Sequence, residues 1–151
     1  MFTISIKSAI ILYFVLFIPF ALPQDINFNN NLNSTNSVRV EIIALNQIEE
    51  GIKKSEIKKL TDYFAAQPYI SLLSGVNGYY SSNQAYYIIE EFFKNFRVVS
   101  FNFENKKFEE NVVYGTGEYY YERKGKRESA LLYITLNKTG NKWVISQISI
   151  N

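Results

Sequence analysis

The spacing of the apolar residues changes after residue 96, and this change constrains the fold more than any other feature of the chain. Within residues 79–96 the apolar side chains recur every three or four positions, the period of a helix with one buried face. Ser81 stands three positions before Gln84, which predicts a capping box at the helix start. From residue 97 to residue 150 the period is two, which predicts β-strands. The predicted buried positions of the helix are Ala85, Ile88, Phe92 and Phe96.

Two further helices and a short strand are predicted before this helix. Residues 38–52 carry an apolar stripe at helical spacing. Ser55 is expected to cap a second helix, in which Phe64 is buried and which Pro68 ends. A short strand is expected at residues 69–74.

Four strands are predicted after residue 96, separated by turns and by a charged loop at residues 106–111. The whole order predicts an α+β domain, with three helices packed on one face of a mainly antiparallel sheet. The four strands are expected at residues 97–104, 112–122, 127–136 and 143–150.

The composition excludes several classes of function. The chain has 151 residues, with neither histidine nor cysteine, so disulfides, thiol chemistry and the usual zinc ligands are absent. We therefore predict no metal and no cofactor. The net charge of +2 gives no electrostatic basis for binding nucleic acid.

The N-terminal segment has the pattern of a signal peptide. Lys7 is its single charge, and an apolar run follows at residues 10–18. We expect residues 1–23 to be removed on export to the periplasm or the extracellular space, leaving no stable membrane insertion. The alternative is a retained anchor, because the uncharged run at residues 8–24 approaches the length that spans a bilayer.

The next segment is rich in asparagine. Such polar sequence cannot bury a core, so residues 24–37 are predicted to be a disordered linker. Residues 38–151 then form a single domain, which is long enough to bury a core of useful size.

Several stretches, spread over nearly all of residues 38–151, carry a resemblance to a known superfamily. They are Ile48-Glu-Glu-Gly-Ile52, Leu60-Thr-Asp-Tyr-Phe64, Tyr80-Ser-Ser-Asn-Gln-Ala85, Phe92-Phe93, Gly115-Thr-Gly117 and Lys142-Trp-Val-Ile-Ser-Gln-Ile-Ser-Ile150. The chain resembles the nuclear transport factor two superfamily, also called cystatin-like. More narrowly, it is similar to a family of secreted bacterial domains of unknown function.

The resemblance implies a cone-shaped α+β fold, with three N-terminal helices packed on a curved sheet. The superfamily includes isomerases, dehydratases, transport factors and plain binding modules, while the narrower family has no established activity. Enzymes of the superfamily place an acidic base inside the cone. This resemblance implies Asp62 as a weak candidate for a catalytic base, paired with a tyrosine of the pocket. Glu90 is the other carboxylate considered for this role.

Gly115 and Gly117 interrupt a predicted strand. A nucleotide-binding loop would need a helix directly after them, and here the strand continues. We therefore interpret these glycines as a bulge or a sharp bend of the curved sheet.

Four aromatic residues are candidates for binding a ligand: Phe92, Tyr114, Tyr119 and Tyr121. Tyrosines that line a pocket could hold a small apolar ligand or a sugar. The alternative interpretation is cross-strand packing, which favours aromatic pairs.

A dimer surface is predicted on the outer face of the sheet, because four apolar side chains share one parity on two neighbouring strands. These residues are Leu131, Tyr133, Trp143 and Ile145.

The sequence therefore favours an exported, non-catalytic module, acting as a homodimer, that binds a small apolar ligand or a protein partner. One alternative is an enzyme of the isomerase or dehydratase type that uses a pocket carboxylate and a tyrosine. Another is a structural subunit of an envelope assembly.

Overall fold

A computed structural model of the protein describes residues 29–151, with side chains from Val40 onwards. The predicted signal peptide and the first residues of the predicted linker lie outside this range. The described elements are α1 (Asn29–Lys54), α2 (Ile57–Thr61), β1 (Phe64–Leu72), β2 (Asn77–Tyr79), α3 (Ser82–Asn95), β3 (Arg97–Phe101), β4 (Asn105–Phe108), β5 (Val112–Arg123), β6 (Lys126–Thr139) and β7 (Lys142–Ile150).

The strands form one curved, open sheet. Their order across it is β2-β1-β7-β6-β5-β3, and β4 pairs with another part of β5. β1 and β7 run parallel, while the other paired strands run antiparallel. The predicted α+β class is confirmed, although two helices rather than three precede the sheet in the chain and α3 follows β2.

α3 begins with the predicted capping box. The backbone N–H of Gln84 donates to the Ser81 hydroxyl at 3.3 Å, and the Gln84 side chain accepts from the backbone N–H of Ser81 at 3.0 Å. Its buried residues are Ala85, Ile89, Phe92 and Phe93, with Phe96 buried just beyond the last turn.

Within that buried stripe, Ile89 takes the place predicted for Ile88, which is half-buried. Ile89 follows Ala85 by four positions, which keeps the two residues on the same helix face.

α1 is longer than predicted at both ends. It begins at Asn29, so part of the predicted linker is helical, and it runs past Gly51 to Lys54. Once packing holds part of a helix in place, each further residue adds one backbone hydrogen bond. Polar residues can add this bond as well as apolar ones. The helix is anchored on the core by Ala44, Leu45, Ile48 and Ile52.

Ser55 ends α1 instead of starting α2. Its φ of 54° is left-handed, and its N–H donates to the carbonyl of Ile52 at 3.1 Å. The N–H of Glu56 donates to the carbonyl of Gly51 at 2.8 Å. These two bonds form a Schellman motif, the common C-terminal cap of a helix.

The second helix is shorter than predicted, and Phe64 and Pro68 lie in β1 instead. The parallel pairing of β1 with β7 shifts register between Phe64 and Tyr69. Pro68 lies in this irregular part, where a residue without an N–H is tolerated. The predicted extent of the second helix was wrong because the helical spacing of Phe64 did not reveal the long-range pairing of β1 with β7.

The predicted charged loop contains strand β4, which pairs with β5 at the edge of the sheet. All four residues of β4 are exposed, and Lys106 and Lys107 supply charge. Charged side chains on an edge strand discourage pairing with other chains.

A bulge in β7 changes which face its residues occupy. Leu136 pairs with Ile145 but Thr135 pairs with Gln147, so one extra residue is accommodated between these pairs. As a result, Trp143 and Ile145 are buried in the core, at 5% and 0% exposure.

The prediction that these four residues form one outer dimer surface is therefore wrong. Trp143 and Ile145 belong to the core, whereas Leu131 is exposed and Tyr133 is half-buried on the opposite face. The strict alternation used to place them fails at the bulge. The homodimer itself stays a prediction.

Gly115 and Gly117 make room for the chain between β3 and β4. A Cβ on Gly115 would lie 2.8 Å from the Phe103 ring, and one on Gly117 would overlap the carbonyl oxygen of Asn102. The pairing of β5 with β6 is continuous from end to end. These glycines thus permit a close approach and form no bulge against β6, while the alternative of a sharp bend stays a prediction.

Within residues 29–151, the structure contains no helix long and apolar enough to cross a bilayer.

Candidate functional site

The inside of the cone is filled by aromatic side chains. The ring of Phe96 lies 4.5 Å from that of Phe92 and 5.4 Å from that of Tyr121, and Tyr119 lies 5.8 Å from Tyr121. Phe92 and Tyr121 are at most 4% exposed, and Tyr119 is fully buried. Three of the four predicted ligand-binding residues are therefore core residues.

The hydroxyls of the buried tyrosines bind the protein itself. Tyr119 donates to the carbonyl of Phe96 at 2.7 Å, and its burial raises the pKa of its hydroxyl far above the ordinary value. Tyr121 donates to Glu128 at 2.9 Å. Burial and this hydrogen bond raise the pKa of Tyr121. Neither hydroxyl is arranged to transfer a proton near neutral pH.

The two carboxylates considered for catalysis lie on the outside. Asp62 is exposed at the end of α2 and lines a shallow cleft beside Tyr63. Glu90 accepts from Lys94 at 3.1 Å and from the Tyr86 hydroxyl at 3.2 Å, all on one face of α3. The hydrogen bond from Lys94 lowers the pKa of Glu90. Neither residue is the interior base that the resemblance implied.

Glu49 is a half-buried carboxylate on α1. Burial would raise its pKa, but hydrogen bonds from Lys53 at 2.6 Å and from the Phe103 N–H at 3.1 Å lower it overall. Lys106 lies 3.4 Å away and acts in the same direction. Because its oxygens are all directed at the protein, Glu49 joins α1 to the segment between β3 and β4.

One row of paired residues crosses the opposite face of the sheet, away from the helices. Tyr79 pairs with Tyr69, and Tyr69 pairs with Gln147. Gln147 pairs with Thr135, which in turn pairs with Tyr114. Residues paired in this way project from the same face of a sheet. The row therefore places tyrosines at both ends and neutral polar side chains between them.

The tyrosines at each end of the row are in contact. The rings of Tyr69 and Tyr79 meet edge to face at 5.1 Å, and the Tyr69 hydroxyl donates to Asn77. At the other end, Tyr114 lies 6.2 Å from Tyr133, in a tilted arrangement. Tyr79 is 74% exposed, so the first pair is open to solvent.

Between the two pairs lies a cleft of about 550 Å³. Its floor includes Thr135, which is 9% exposed and whose carbonyl accepts from the Ser146 hydroxyl at 3.2 Å. We call this cleft the tyrosine cleft. The residues that line it are Gln67, Tyr69, Tyr79, Tyr114, Tyr133, Thr135, Asn137, Ser146 and Gln147.

The tyrosine cleft is electrically neutral. In the described part of the chain, its lining includes no charged side chain. The ammonium group of Lys107 stands 6.0 Å from the centre of the Tyr114 ring, and it forms an ion pair with Glu109 at 2.6 Å. The positive charge beside the Tyr114 ring is thus compensated by the Glu109 carboxylate.

A second cleft, of about 350 Å³, lies between α3 and the turn that follows β1. Val76, Ile88, Phe92 and Phe96 give it an apolar lining. Of the predicted ligand-binding residues, Phe92 lines this cleft, while Tyr121 lines a separate cleft of about 430 Å³ with Val99, Arg127 and Glu128. Within residues 29–151, no cluster of acidic side chains suited to a metal ion is present.

Sequence reasoning named Tyr114 and Tyr133, but it assigned them to two different surfaces. It missed Tyr69, Tyr79 and Gln147, because their place in the row depends on the parallel pairing of β1 with β7. The sequence signal that could have revealed the two tyrosines is their position: Tyr69 and Tyr79 lie near the two ends of the segment between Pro68 and α3.

Comparison with known proteins places the fold. The family model for a domain of unknown function, DUF4783, matches residues 45–151. A DUF4783 family protein from Bacteroides uniformis is 19% identical, with 70% of this chain and 94% of that chain covered and a TM-score of 0.64. One from Bacteroides ovatus is 18% identical, with 68% and 89% covered and a TM-score of 0.61. No curated protein matches the chain.

More distant structures share the fold. A proposed dehydratase of the NTF2-like (nuclear transport factor two-like) family, from Streptomyces avermitilis, is 8% identical to this chain. The match covers 77% of this chain and 96% of that chain, with a TM-score of 0.58. At this identity the likeness shows the fold alone. The resemblance inferred from the sequence is confirmed: the chain belongs to the DUF4783 family and has the nuclear-transport-factor-two-like fold.

Proposed function

We propose that the domain is an exported, non-catalytic module that binds its ligand in the tyrosine cleft. The observation that carries this proposal is the row from Tyr79 to Tyr114, which builds an open, aromatic-ended cleft from five strands. Its volume of about 550 Å³ is within the range of small-molecule sites. Aromatic side chains supply contact area while polar groups fix orientation, which is the usual division of roles in such sites.

The enzyme alternative has less support. An active site of the superfamily type needs an interior carboxylate near a tyrosine, and this interior is occupied by Phe92, Phe96, Tyr119 and Tyr121. The buried carboxylate of Glu41 on α1 interacts with the charge of Lys138 instead. Asp62 and Glu90 lie outside it. The dehydratase relative matches in fold, and its chemistry does not extend to this chain at 8% identity.

A second candidate function is favoured by the apolar cleft beside α3. Val76, Ile88 and Phe92 would suit a small apolar ligand there. Its volume of about 350 Å³ is at the lower end for such sites. The two clefts lie on opposite faces of the sheet, so one experiment can separate them.

That experiment is amide chemical-shift mapping with a small-molecule extract of the source culture. We expect shifts at Gln147 and Thr135, and we expect a Tyr69→Ala/Tyr114→Ala double variant to abolish them. The matched control is Tyr120→Ala on β5, which also removes an exposed tyrosine, 46% exposed, lines neither of the two clefts and should leave the shifts unchanged. Shifts confined to the cleft beside α3 would favour the second candidate. An absence of shifts at both clefts would contradict both.

Export is part of the same proposal. It is supported by Lys7 followed by the apolar run at residues 10–18. Protein isolated from its native host should begin near residue 24 when its N-terminus is sequenced. A chain that still begins at Met1 would contradict export with cleavage and favour a retained anchor.

A further inference from the structure

We propose that the ligand of the tyrosine cleft is a neutral oligosaccharide that lies across the strands, along the row from Tyr69 to Tyr114. This inference rests on the binding function proposed above and adds the chemical class of the ligand. It is carried by three properties of the cleft: the positions of its tyrosines, the chemistry of its floor and its lack of charge.

The tyrosines stand where a chain of sugars would need them. Tyr69 and Tyr114 belong to β1 and β5, which are three strand spacings apart in the sheet. At roughly 4.8 Å per spacing, the two residues are about 14 Å apart. The C–H face of a sugar ring packs on the face of a tyrosine ring, but one sugar ring cannot reach both ends. The spacing therefore fits an oligosaccharide better than a single sugar.

The floor of the cleft matches the hydroxyl groups of a sugar. A sugar hydroxyl both donates and accepts hydrogen bonds, so it needs partners that can do the same. Thr135 carries a hydroxyl, and amides line the cleft at Gln67, Asn137 and Gln147. The Ser146 hydroxyl donates to the Thr135 carbonyl, so it offers a sugar only its acceptor oxygen. Hydroxyl and amide side chains are the uncharged groups that offer both a donor and an acceptor.

The charge of the cleft favours a neutral ligand. An acidic sugar would need a free cation to offset its desolvation. Lys107 stands beside Tyr114 at one end, but its ammonium group is 2.6 Å from a Glu109 oxygen. The described lining supplies no other charged group.

A protein partner fits the cleft less well. Protein interfaces place their apolar residues at the centre and polar residues at the rim. The tyrosine cleft has the reverse arrangement, with Gln147 and Thr135 at the centre and tyrosine pairs at the two ends. A ligand with polar groups along its length is the better match.

The test is a titration of the isotope-labelled protein with defined oligosaccharides. The neutral probes are maltohexaose, cellohexaose, mannohexaose, xylohexaose and chitohexaose, and the acidic probe is oligogalacturonate. We expect at least one neutral probe to shift the amides of Gln147 and Thr135, while oligogalacturonate does not. Tyr69→Ala and Tyr114→Ala should each weaken binding by about tenfold, the effect of losing one well-packed aromatic contact.

Two variants control this experiment. Tyr114→Phe keeps the ring and should retain most of the affinity, whereas a loss as large as that of Tyr114→Ala would contradict ring stacking. Tyr120→Ala on β5, which lines neither of the two clefts, should have no effect. Tyr79 is 74% exposed, so Tyr79→Ala should fold even if Tyr69→Ala or Tyr114→Ala does not. This variant therefore tests the Tyr69 end of the row independently.

The possible failures are distinguishable. If no neutral probe shifts these amides but a culture extract or a protein fraction does, the oligosaccharide inference is overturned and the binding function stands. Equal binding of the acidic probe overturns the argument from charge. Shifts by the extract at the cleft beside α3, with none at Gln147 and Thr135, overturn both the inference and the proposed site.

Discussion

The hydroxyl of Tyr119 donates a hydrogen bond of 2.7 Å to the backbone carbonyl of Phe96, inside the core. Phe96 is the C-terminal cap residue of α3, where carbonyls lack partners within the helix. The bond therefore joins the end of the helix to the middle of β5. A tyrosine whose type suggested ligand binding satisfies the backbone instead.

Tyr119→Phe should destabilise the fold by about 1–2 kcal/mol, because it leaves a buried carbonyl without its donor. Chemical denaturation of the variant measures this directly. The matched control is Tyr120→Phe on the same strand, whose side chain is 46% exposed and should change stability little. Equal stability of the Tyr119→Phe variant and the wild type would show that the bond contributes nothing net.

Ser81→Ala should cost about 1 kcal/mol, because the N–H of Gln84 loses the hydroxyl that accepts from it at 3.3 Å. The control is Ser82→Ala, one position further on, where alanine is a good helix former. A loss of stability in the control and none in Ser81→Ala would contradict the capping box as a source of stability.

The sequence was sufficient where a local pattern decides the structure. The capping box of Ser81 and the period-two strand at residues 127–136 were predicted correctly, since short-range spacing determines both. The class of the fold followed from the order of these patterns, and the superfamily followed from the resemblance carried by stretches such as Tyr80-Ser-Ser-Asn-Gln-Ala85.

Where long-range pairing decides the structure, the sequence was insufficient. The bulge beside Ser146 moved Trp143 and Ile145 from the predicted outer surface into the core. The parallel pairing of β1 with β7 placed Tyr69 in line with Tyr114, and no spacing within one segment encodes that row. The core aromatics were mistaken for ligand residues because composition does not show how completely they fill the interior.

Glu49→Gln should destabilise the protein by about 1–2 kcal/mol at neutral pH, since hydrogen bonds to the charged form would be weakened. The lowered pKa of Glu49 means that its contribution is complete above the ordinary value of 4.5 and is lost as the pH falls through the folded-state pKa. Unfolding measured against pH should therefore show the wild type and the variant converging in acid.

The control for Glu49 is its neighbour. Glu50 forms an ion pair with Lys54 at 3.1 Å. The side chain of Glu50 is 44% exposed and that of Lys54 is 54% exposed. Such pairs contribute little, so Glu50→Gln should leave the stability nearly unchanged. A Glu49→Gln variant whose deficit stays constant down to acidic pH would contradict the role of the charged form.

Ser55→Gly should stabilise the protein by about 1 kcal/mol. Ser55 has a φ of 54°, a left-handed conformation that costs an L-residue energy and glycine very little. Its place after α1 in the Schellman motif is one where glycine is preferred. Thermal unfolding would show a higher midpoint, and a lower midpoint would mean that the Ser55 side chain has an interaction worth more than the backbone strain.

Gly117→Ala should be the most damaging of these substitutions, with a cost of about 3 kcal/mol. The added methyl group would overlap the carbonyl oxygen of Asn102, and a backbone atom cannot rotate away as a side chain can. At this position the neighbour of β5 changes from β3, which pairs with Tyr119, to β4, which pairs with Thr116. The control is Thr116→Ala, which removes atoms on the opposite face and should cost much less. If Gly117→Ala unfolds at the same denaturant concentration as the wild type, the segment at Asn102 moves freely and the close approach does not constrain the sheet.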